Sequence, residues 1–284
     1  MLEQYLRALR AEGKSDKTIS TYRTQISRFL NWLKEQGDAD PLKITSIDAV
    51  EYRGHLQNVL GHKPSSVSLA LASIETFCKW MQSEGYRDHN PLEKVKRPAQ
   101  VKDAPKWLGK NEKYRVIRTA LNENDRRNTA IILTMLMTGV RVSELVNLKP
   151  TDIVISERKG TLTVRGKGNK TRTIPMPSDL RNCLGEYLVE ERAAAEWLFD
   201  SQRGDQISPK GVQHLCATIG EKAKVDGLTP HVLRHTFCHD LVAQGVNVFL
   251  VAKLAGHVKI ETTMIYAQPG EEELQAAVEK LGFT

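Results

Sequence analysis

The chain has 284 residues, 40% of them hydrophobic and 26% charged, which is length enough for two ordinary domains and the composition of a globular protein. No apolar run approaches the roughly 20 residues needed to cross a bilayer, and the opening stretch MLEQYLRALRAEGK lacks a signal peptide's apolar core; Cys78, Cys183, Cys216 and Cys238 form no C-x-x-C pair. A membrane span is therefore excluded, buried free thiols in a reduced compartment are expected over disulfides, a cytoplasmic location on the nucleoid is expected, and the formal net charge of +7 points to an anionic partner, nucleic acid first.

The first hundred residues read as helices. A short one is expected over Leu2–Glu12. The next carries Ile19, Tyr22, Ile26, Phe29, Leu30 and Leu33 at helical spacing, with Ser15 to cap its start and Gly37 to end it. A third is expected over Ser46–Leu60. In the fourth, Pro64 opens the helix, Leu71, Ile74, Phe77 and Met81 form its stripe, and Gly85 closes it. Four helices with short turns make a bundle spanning residues 1–93.

Pro91, Pro98 and Pro105 then break the helical pattern, and Lys94, Lys96, Arg97, Lys102, Lys106 and Lys110 face a single acid, Asp103. Residues 94–107 are expected to be a stiff basic connector. The second domain, 108–284, opens with two helices, NEKYRVIRTALNE and the nearly all-apolar RRNTAIILTMLMTG, which should be central. TDIVIS, GTLTVRG and TRTIPM alternate, are rich in β-branched residues and are parted by turns, so a small antiparallel sheet is expected. Helices follow near 178–192, 208–223, 229–244, 247–255 and 259–267, the third of these starting at the Thr229-Pro230 cap. Beyond Pro269-Gly270, the stretch Glu271–Leu281 reads as an amphipathic helix with Leu274, Val278 and Leu281 on one side. The fold class is mainly α with a small antiparallel β-sheet.

The chemistry concentrates around HVLRH. His231 and His235 are spaced i, i+4, as two metal ligands on one helical face would be. The glutamate of H-E-x-x-H is missing, however, and Arg234 within the same turn repels a divalent cation, so no metal is expected. As an anion site the same stretch makes sense. His231 and Arg234 share a face, the guanidinium is a planar fork for phosphate oxygens, and the imidazole exchanges a proton near neutral pH. Arg141 follows the apolar helix with Glu144 three residues on; Lys167 sits between two glycines in the VRGKGNKTRT turn; His257 is followed nine residues later by Tyr266. Singly, each of these reads as ordinary packing or a turn.

In this order, the boxes TGVRVSEL, LTVRGKGNKTRTIPM, TPHVLRHTF and LAGHVKIETTMIYA resemble those of the tyrosine recombinases, or phage-type integrases, a family that includes the Xer proteins. The resemblance covers the whole chain. It implies a SAM-like core-binding bundle and a catalytic domain that together form a C-shaped clamp on DNA. It also implies a catalytic set of Arg141, Lys167, His231, Arg234, His257 and Tyr266, with Glu144 in support. Tyr266 would attack a DNA phosphate, leaving a 3′-phosphotyrosine and a free 5′-hydroxyl. The phenol is protonated at pH 7 and needs an acceptor, for which His231 is the candidate. Lys167 would protonate the departing 5′-oxygen, and Arg141, Arg234 and His257 would hold the non-bridging oxygens. Neither metal nor ATP nor any other cofactor is called for.

His235 and His239 are left over and read as packed or solvent-facing. Phosphate contacts are expected from Lys94, Lys96, Arg97, Lys102, Lys106, Arg165, Lys170 and Arg172, the last three belonging to a cationic stripe with Arg158, Lys159 and Lys167. The implied partners are a duplex recombination site, further copies of the chain in a tetramer with a Holliday-junction intermediate, and accessory sites or proteins. The segment 269–284 is expected to dock on a neighbouring subunit. The biological role is expected to be resolution of dimers or of transposon cointegrates. Phage-type integration, or type IB topoisomerase-like nicking and closing without synapsis, is the alternative.

Overall fold

The protein is described from a computed structural model, which covers all residues except 38–39, 100–103, 167–170, 189–194, 203, 268–274, 276–277 and 280–284. It divides into two compact units, Met1–Asp103 and Ala104–Thr284. No helix among the described residues is long and apolar enough to cross a membrane.

The first unit holds α1 (Leu2–Ala11), α2 (Asp16–Glu35), α3 (Ser46–Gly54) and α4 (Pro64–Ser83). Ser15 Oγ accepts from the Thr18 amide at 3.3 Å and so satisfies one orphan donor at the start of α2. Thr45 and Asp48 cap α3 reciprocally, each side chain accepting from the other's backbone amide. The two expected stripes meet in the core, where Ile19, Ile26, Phe29 and Leu33 of α2 face Leu71, Ile74, Phe77 and Met81 of α4, all buried. Phe29, Trp32 and Tyr52 form an aromatic layer with ring centroids 4.9–6.2 Å apart, the range in which tilted and offset rings attract.

The third helix departs from expectation. Its α-register stops at Gly54, and His55–Val59 form a wider π turn in which the Leu60 amide donates to the His55 carbonyl, five residues back. The widening keeps Leu56 in the core while Val59 and Leu60 turn outward.

The described ends of the expected connector are each tied to their own unit. Val95 packs on the first core, the Arg53 guanidinium donates to the Lys96 carbonyl at 2.6 Å, and Arg97 pairs with Glu75. In the second unit Lys106 reaches the Asp226 carbonyl, and the amide of buried Leu108 donates to Thr236 Oγ1 at 2.9 Å. Residues 100–103, with Lys102, lie outside the described residues.

The second unit is built on α6 (Arg126–Thr138), buried on all sides through Ala130, Ile131, Ile132, Met135 and Leu136. Around it pack α5 (Lys110–Asn122), α8 (Ser178–Tyr187), α9 (Pro209–Lys222) and α10 (Pro230–Ala243). A short α7 (Val142–Leu145) that periodicity did not announce follows α6, and α11 (Val248–Ala255) and α12 (Glu261–Met264) follow α10. The antiparallel sheet has the order β1 (Ile153–Ile155), β2 (Gly160–Arg165), β3 (Thr171–Pro175), with Leu162 opposite Ile174 and Val164 opposite Arg172. Leu162, Val164 and Ile174 face the core.

This topology breaks up the expected cationic stripe. Arg158 and Lys159 lie in the β1–β2 turn, whereas residues 166–170 join β2 to β3. Arg158 and Lys159 stand at the opposite end of β2 from Arg165, about 20 Å away at roughly 3.3 Å per residue, and Lys167 and Lys170 lie outside the described residues.

Candidate active site

The site begins where α6 ends. Gly139 terminates that helix in the left-handed region at φ +62°, and a Cβ there would lie 2.2 Å from the Phe237 ring, so only glycine fits. Its carbonyl accepts from the Arg234 guanidinium of α10. Thr229 Oγ1 caps α10 through the Val232 amide, and the helical period then stacks His231, Arg234, His235 and Cys238 along one face.

Arg234 is only 6% exposed. Burial, followed by the field of Arg141, pulls its pKa down to about 10, which still leaves it charged at neutral pH.

Arg141 stands at the N-cap of α7, and its Nη1 donates to Glu144 at 2.9 Å. Glu144 is 4% exposed, and each of its oxygens accepts two bonds. Oε1 takes Arg141 Nη1 and Arg172 Nη1; Oε2 takes Arg172 Nη2 and the Arg141 amide. Burial would raise this carboxyl, but the Arg172 and Arg141 bonds outweigh it and hold the pKa below the usual carboxylate range. Arg141, Arg172 and Arg234 thus share Glu144 as the single carboxylate acting on them among the described residues, leaving the pocket with an excess of positive charge.

The α11–α12 segment closes the site. Gly256 ends α11 at φ +68°; its carbonyl accepts from Arg141 Nη2 at 2.6 Å, and a Cβ on it would meet Arg172 Nη1 at 2.7 Å. The next residue, His257, pairs through Nδ1 with the fully buried Thr263 hydroxyl at 2.7 Å. Burial, then Arg234 and Arg141, push the His257 pKa down to about 4, so the ring is neutral at pH 7. A neutral ring that accepts from Thr263 at Nδ1 carries its hydrogen on Nε2, available to an oxyanion.

Tyr266 follows α12, its amide donating to the Thr263 carbonyl at 3.0 Å. Its ring packs against the cluster of Phe237, Cys238, Val251 and Ala255. Burial first, and Cys238 next, raise its phenol pKa, with Arg234 opposing them. The phenol oxygen is hydrogen-bonded to His235 Nδ1. Trp107 stands edge-on to Tyr266 at 6.5 Å and stacks on His239 at 4.4 Å.

Of the residues singled out from sequence, Arg141, Glu144, Arg234, His257 and Tyr266 meet in this pocket. His231 is exposed, its ring 6.2 Å from that of His235, and makes no hydrogen bond to Tyr266 among the described residues. Lys167 and Lys170 lie outside the described residues.

Two expectations need correction. His235 is not idle: it is half-buried and bonded to the Tyr266 phenol. Arg172 is not a surface phosphate ligand, because its side chain is 16% exposed and its guanidinium is committed to Glu144 and, through Nε at 2.9 Å, to the Leu254 carbonyl. A period-two signal could have found Arg172, since it shares the inward face of β3 with Ile174. Among the other expected DNA contacts, Arg165 pairs with Asp152 at 3.1 Å yet stays 53% exposed, and Lys94 and Lys96 are exposed. Trp107 and Thr263 had no sequence signal of their own.

Comparison with known proteins agrees with this geometry. Residues 106–273 match the Phage integrase family, and residues 1–88 match the Phage integrase N-terminal SAM-like domain. The chain is 34% identical to tyrosine recombinase XerA of Pyrococcus furiosus over 284 residues, covering 99% of this chain and 93% of that protein. It is 31% identical to tyrosine recombinase XerD of Rhizobium meliloti, covering 98% of this chain and 93% of that one. In fold it is similar to the XerH site-specific recombinase crystallised in a post-cleavage complex with a palindromic difH substrate. That match has a TM-score of 0.79 at 19% identity, over 98% of this chain and 83% of the other.

Proposed function

From the premise that the chain belongs to the phage integrase family and is a tyrosine recombinase, a site-specific DNA recombinase, we propose how its residues divide the work. Tyr266 Oη attacks a backbone phosphate of a duplex recombination site. The P–O5′ bond breaks, leaving a 3′-phosphotyrosine and a 5′-hydroxyl. Arg141 and Arg234 hold the non-bridging oxygens as charge builds on them, and His257 donates a neutral N–H to the same oxygens. Lys167 protonates the 5′-oxygen. A histidine of α10, either His231, the candidate from sequence, or His235, which is bonded to the phenol, accepts the phenol's proton. The covalent bond conserves the energy of the broken one, so the attacking 5′-hydroxyl of a partner strand rejoins the backbone without a nucleotide cofactor.

The observation that supports this reading is convergence: Arg141, Arg234, His257 and Tyr266 come from four separate stretches of sequence and meet around one positively charged pocket in a single chain. The bundle of residues 1–93 acts as the core-binding part and 108–284 as the catalytic part. The connector 94–107, with Lys94, Lys96, Arg97, Lys102 and Lys106, contributes backbone phosphate contacts, and Arg165 and Lys170 do the same from the sheet. Recombination proceeds in a homotetramer through a Holliday junction, with the segment 269–284 docking on a neighbouring subunit. The biological outcome is resolution of DNA dimers or cointegrates in the cytoplasm, on the nucleoid.

The test uses a supercoiled plasmid carrying the DNA that flanks the coding sequence, incubated with protein and a chelator and quenched in detergent. A covalent protein–DNA complex is expected, attached at a 3′-phosphate and absent in Tyr266→Phe. Two directly repeated copies of the mapped site should lose the DNA between them. Relaxation of supercoils without that deletion would identify a nicking–closing enzyme instead.

A further inference from the structure

We propose that His235, rather than His231, takes the proton from Tyr266 when DNA is cleaved and returns it when the strand is rejoined. The inference rests on the strand-transfer reading above and assigns a step that the reading leaves to either histidine.

Three observations carry it. First, His235 Nδ1 is hydrogen-bonded to the phenol oxygen itself, the reacting atom. Second, the contact is built rather than incidental. Tyr266 is held by the Phe237–Cys238–Val251–Ala255 cluster and flanked by Trp107, while His235 sits on the face of α10 one residue beyond Arg234, which is anchored on the Gly139 carbonyl. α10 therefore both carries the acceptor and, through Phe237 and Cys238, forms part of the wall that holds the donor, so the two are kept in register, as proton transfer requires. Third, His231 lies one turn earlier, exposed, its ring 6.2 Å from that of His235, and it makes no hydrogen bond to the phenol among the described residues.

The protonation state fits. The charged groups facing His235 are His231 and Arg234 on its own helix, and His257 and Tyr266 from the α11–α12 segment. Burial, then His231 and Arg234, lower its pKa below the ordinary histidine value. The ring is neutral at pH 7, and in the tautomer with hydrogen on Nε2 its Nδ1 lone pair accepts from the phenol.

In the forward step the Oη–H proton passes to Nδ1, the Oη–P bond forms, and P–O5′ breaks with its oxygen protonated by Lys167. In rejoining, the attacking 5′-hydroxyl gives up its proton to Lys167, and Oη departs with the proton held by His235. One imidazole serves both directions, as microscopic reversibility demands.

The experiment measures single-turnover formation of the covalent complex on the plasmid above, from pH 5 to 8, for wild type, His235→Gln, His235→Ala and His231→Gln. DNA affinity and melting temperature are recorded for each. The wild-type rate should rise with pH and level off, bending below pH 6.5 as His235 loses its proton. His235→Gln should cleave about 100-fold more slowly, within the range of general-base contributions, with the bend gone and DNA affinity within about twofold. Added imidazole should restore part of the rate to His235→Ala but none to His235→Gln, whose side chain fills the space. His231→Gln should be slower but keep the bend.

If His235→Gln keeps the wild-type rate and bend, or if His231→Gln loses the bend, the assignment is overturned and the strand-transfer reading survives. If wild type forms no covalent complex, both fall. If His235→Gln melts early, the imidazole arm on His235→Ala decides: no rescue in a folded, DNA-binding variant overturns the proposal.

Discussion

The core of the first unit and the active site of the second bury their side chains in opposite ways. The core of Met1–Asp103 is apolar and aromatic: Phe29, Phe77, Ile26 and Ile74 are fully buried, and the stabilisation is area removed from water. At the site of Ala104–Thr284, Arg234 and Glu144 are almost as well buried, and what holds them is directed bonding, Arg234 to the Gly139 carbonyl and Glu144 to Arg141 and Arg172. The first arrangement is an apolar cluster with no charged side chain in it. The second keeps uncompensated positive charge out of water, at a cost that an arriving phosphate relieves. Each unit keeps an apolar core of its own, so the cores are separate, and directed bonding of buried charge marks the site.

The largest expected effect falls on the first unit. Phe29→Ala deletes a fully buried ring from the aromatic layer with Trp32 and Tyr52 and should destabilise that unit by about 3–5 kcal/mol. Hydrogen exchange should then speed up in α2 and α4 while the amides of α6 and α10 keep their protection. Equal loosening of both units would mean that the separation is not real.

A smaller effect belongs to the second unit alone. The His257 pKa is about 4 in the folded chain, below its unfolded value near 6.5, so the unfolded state binds the extra proton first as pH falls. The stability contributed by keeping this ring neutral is fully present above about pH 6.5 and is lost as pH drops toward 4. With discount for its half-exposed ring, the loss is about 1–2 kcal/mol. Denaturant melts at pH 7 and 5 should show it, and His257→Gln should remove it.

The smallest effect sharpens the role of Thr263. Thr263→Val keeps the shape but removes the hydroxyl that holds His257 Nδ1. Cleavage should slow about tenfold through a mixture of tautomers, as for other groups that orient a histidine, with the melting temperature nearly unchanged. A wild-type rate would show that Thr263 does not set the tautomer.

Much of this was legible in the chain itself, because the signals are local. Ser15, Thr229 and Pro64 mark helix starts, the stripe of α4 marks a core face, and the β-branched alternation over 160–175 marks a hairpin. The π turn after Gly54 and the four-residue α7 were not legible, since one is a change of hydrogen-bond register and the other is shorter than a period. At the site, the order of Arg141, His231-x-x-Arg234, His257 and Tyr266 was readable as a pattern. Which histidine touches the phenol was not, because it depends on the angle at which the α11–α12 segment crosses α10. Arg172 shows the same limit: a cation in a run of cations reads as surface until the sheet turns it toward Glu144.

Three guanidinium groups around one carboxylate have a consequence at the bench. Such a pocket should bind small tetrahedral anions, so sulfate or inorganic phosphate in a buffer acts as a competitive occupant. It would raise the second unit's thermal transition by mass action while slowing entry of the DNA backbone. Sulfate and phosphate would then be the anions to dialyse away before any assay.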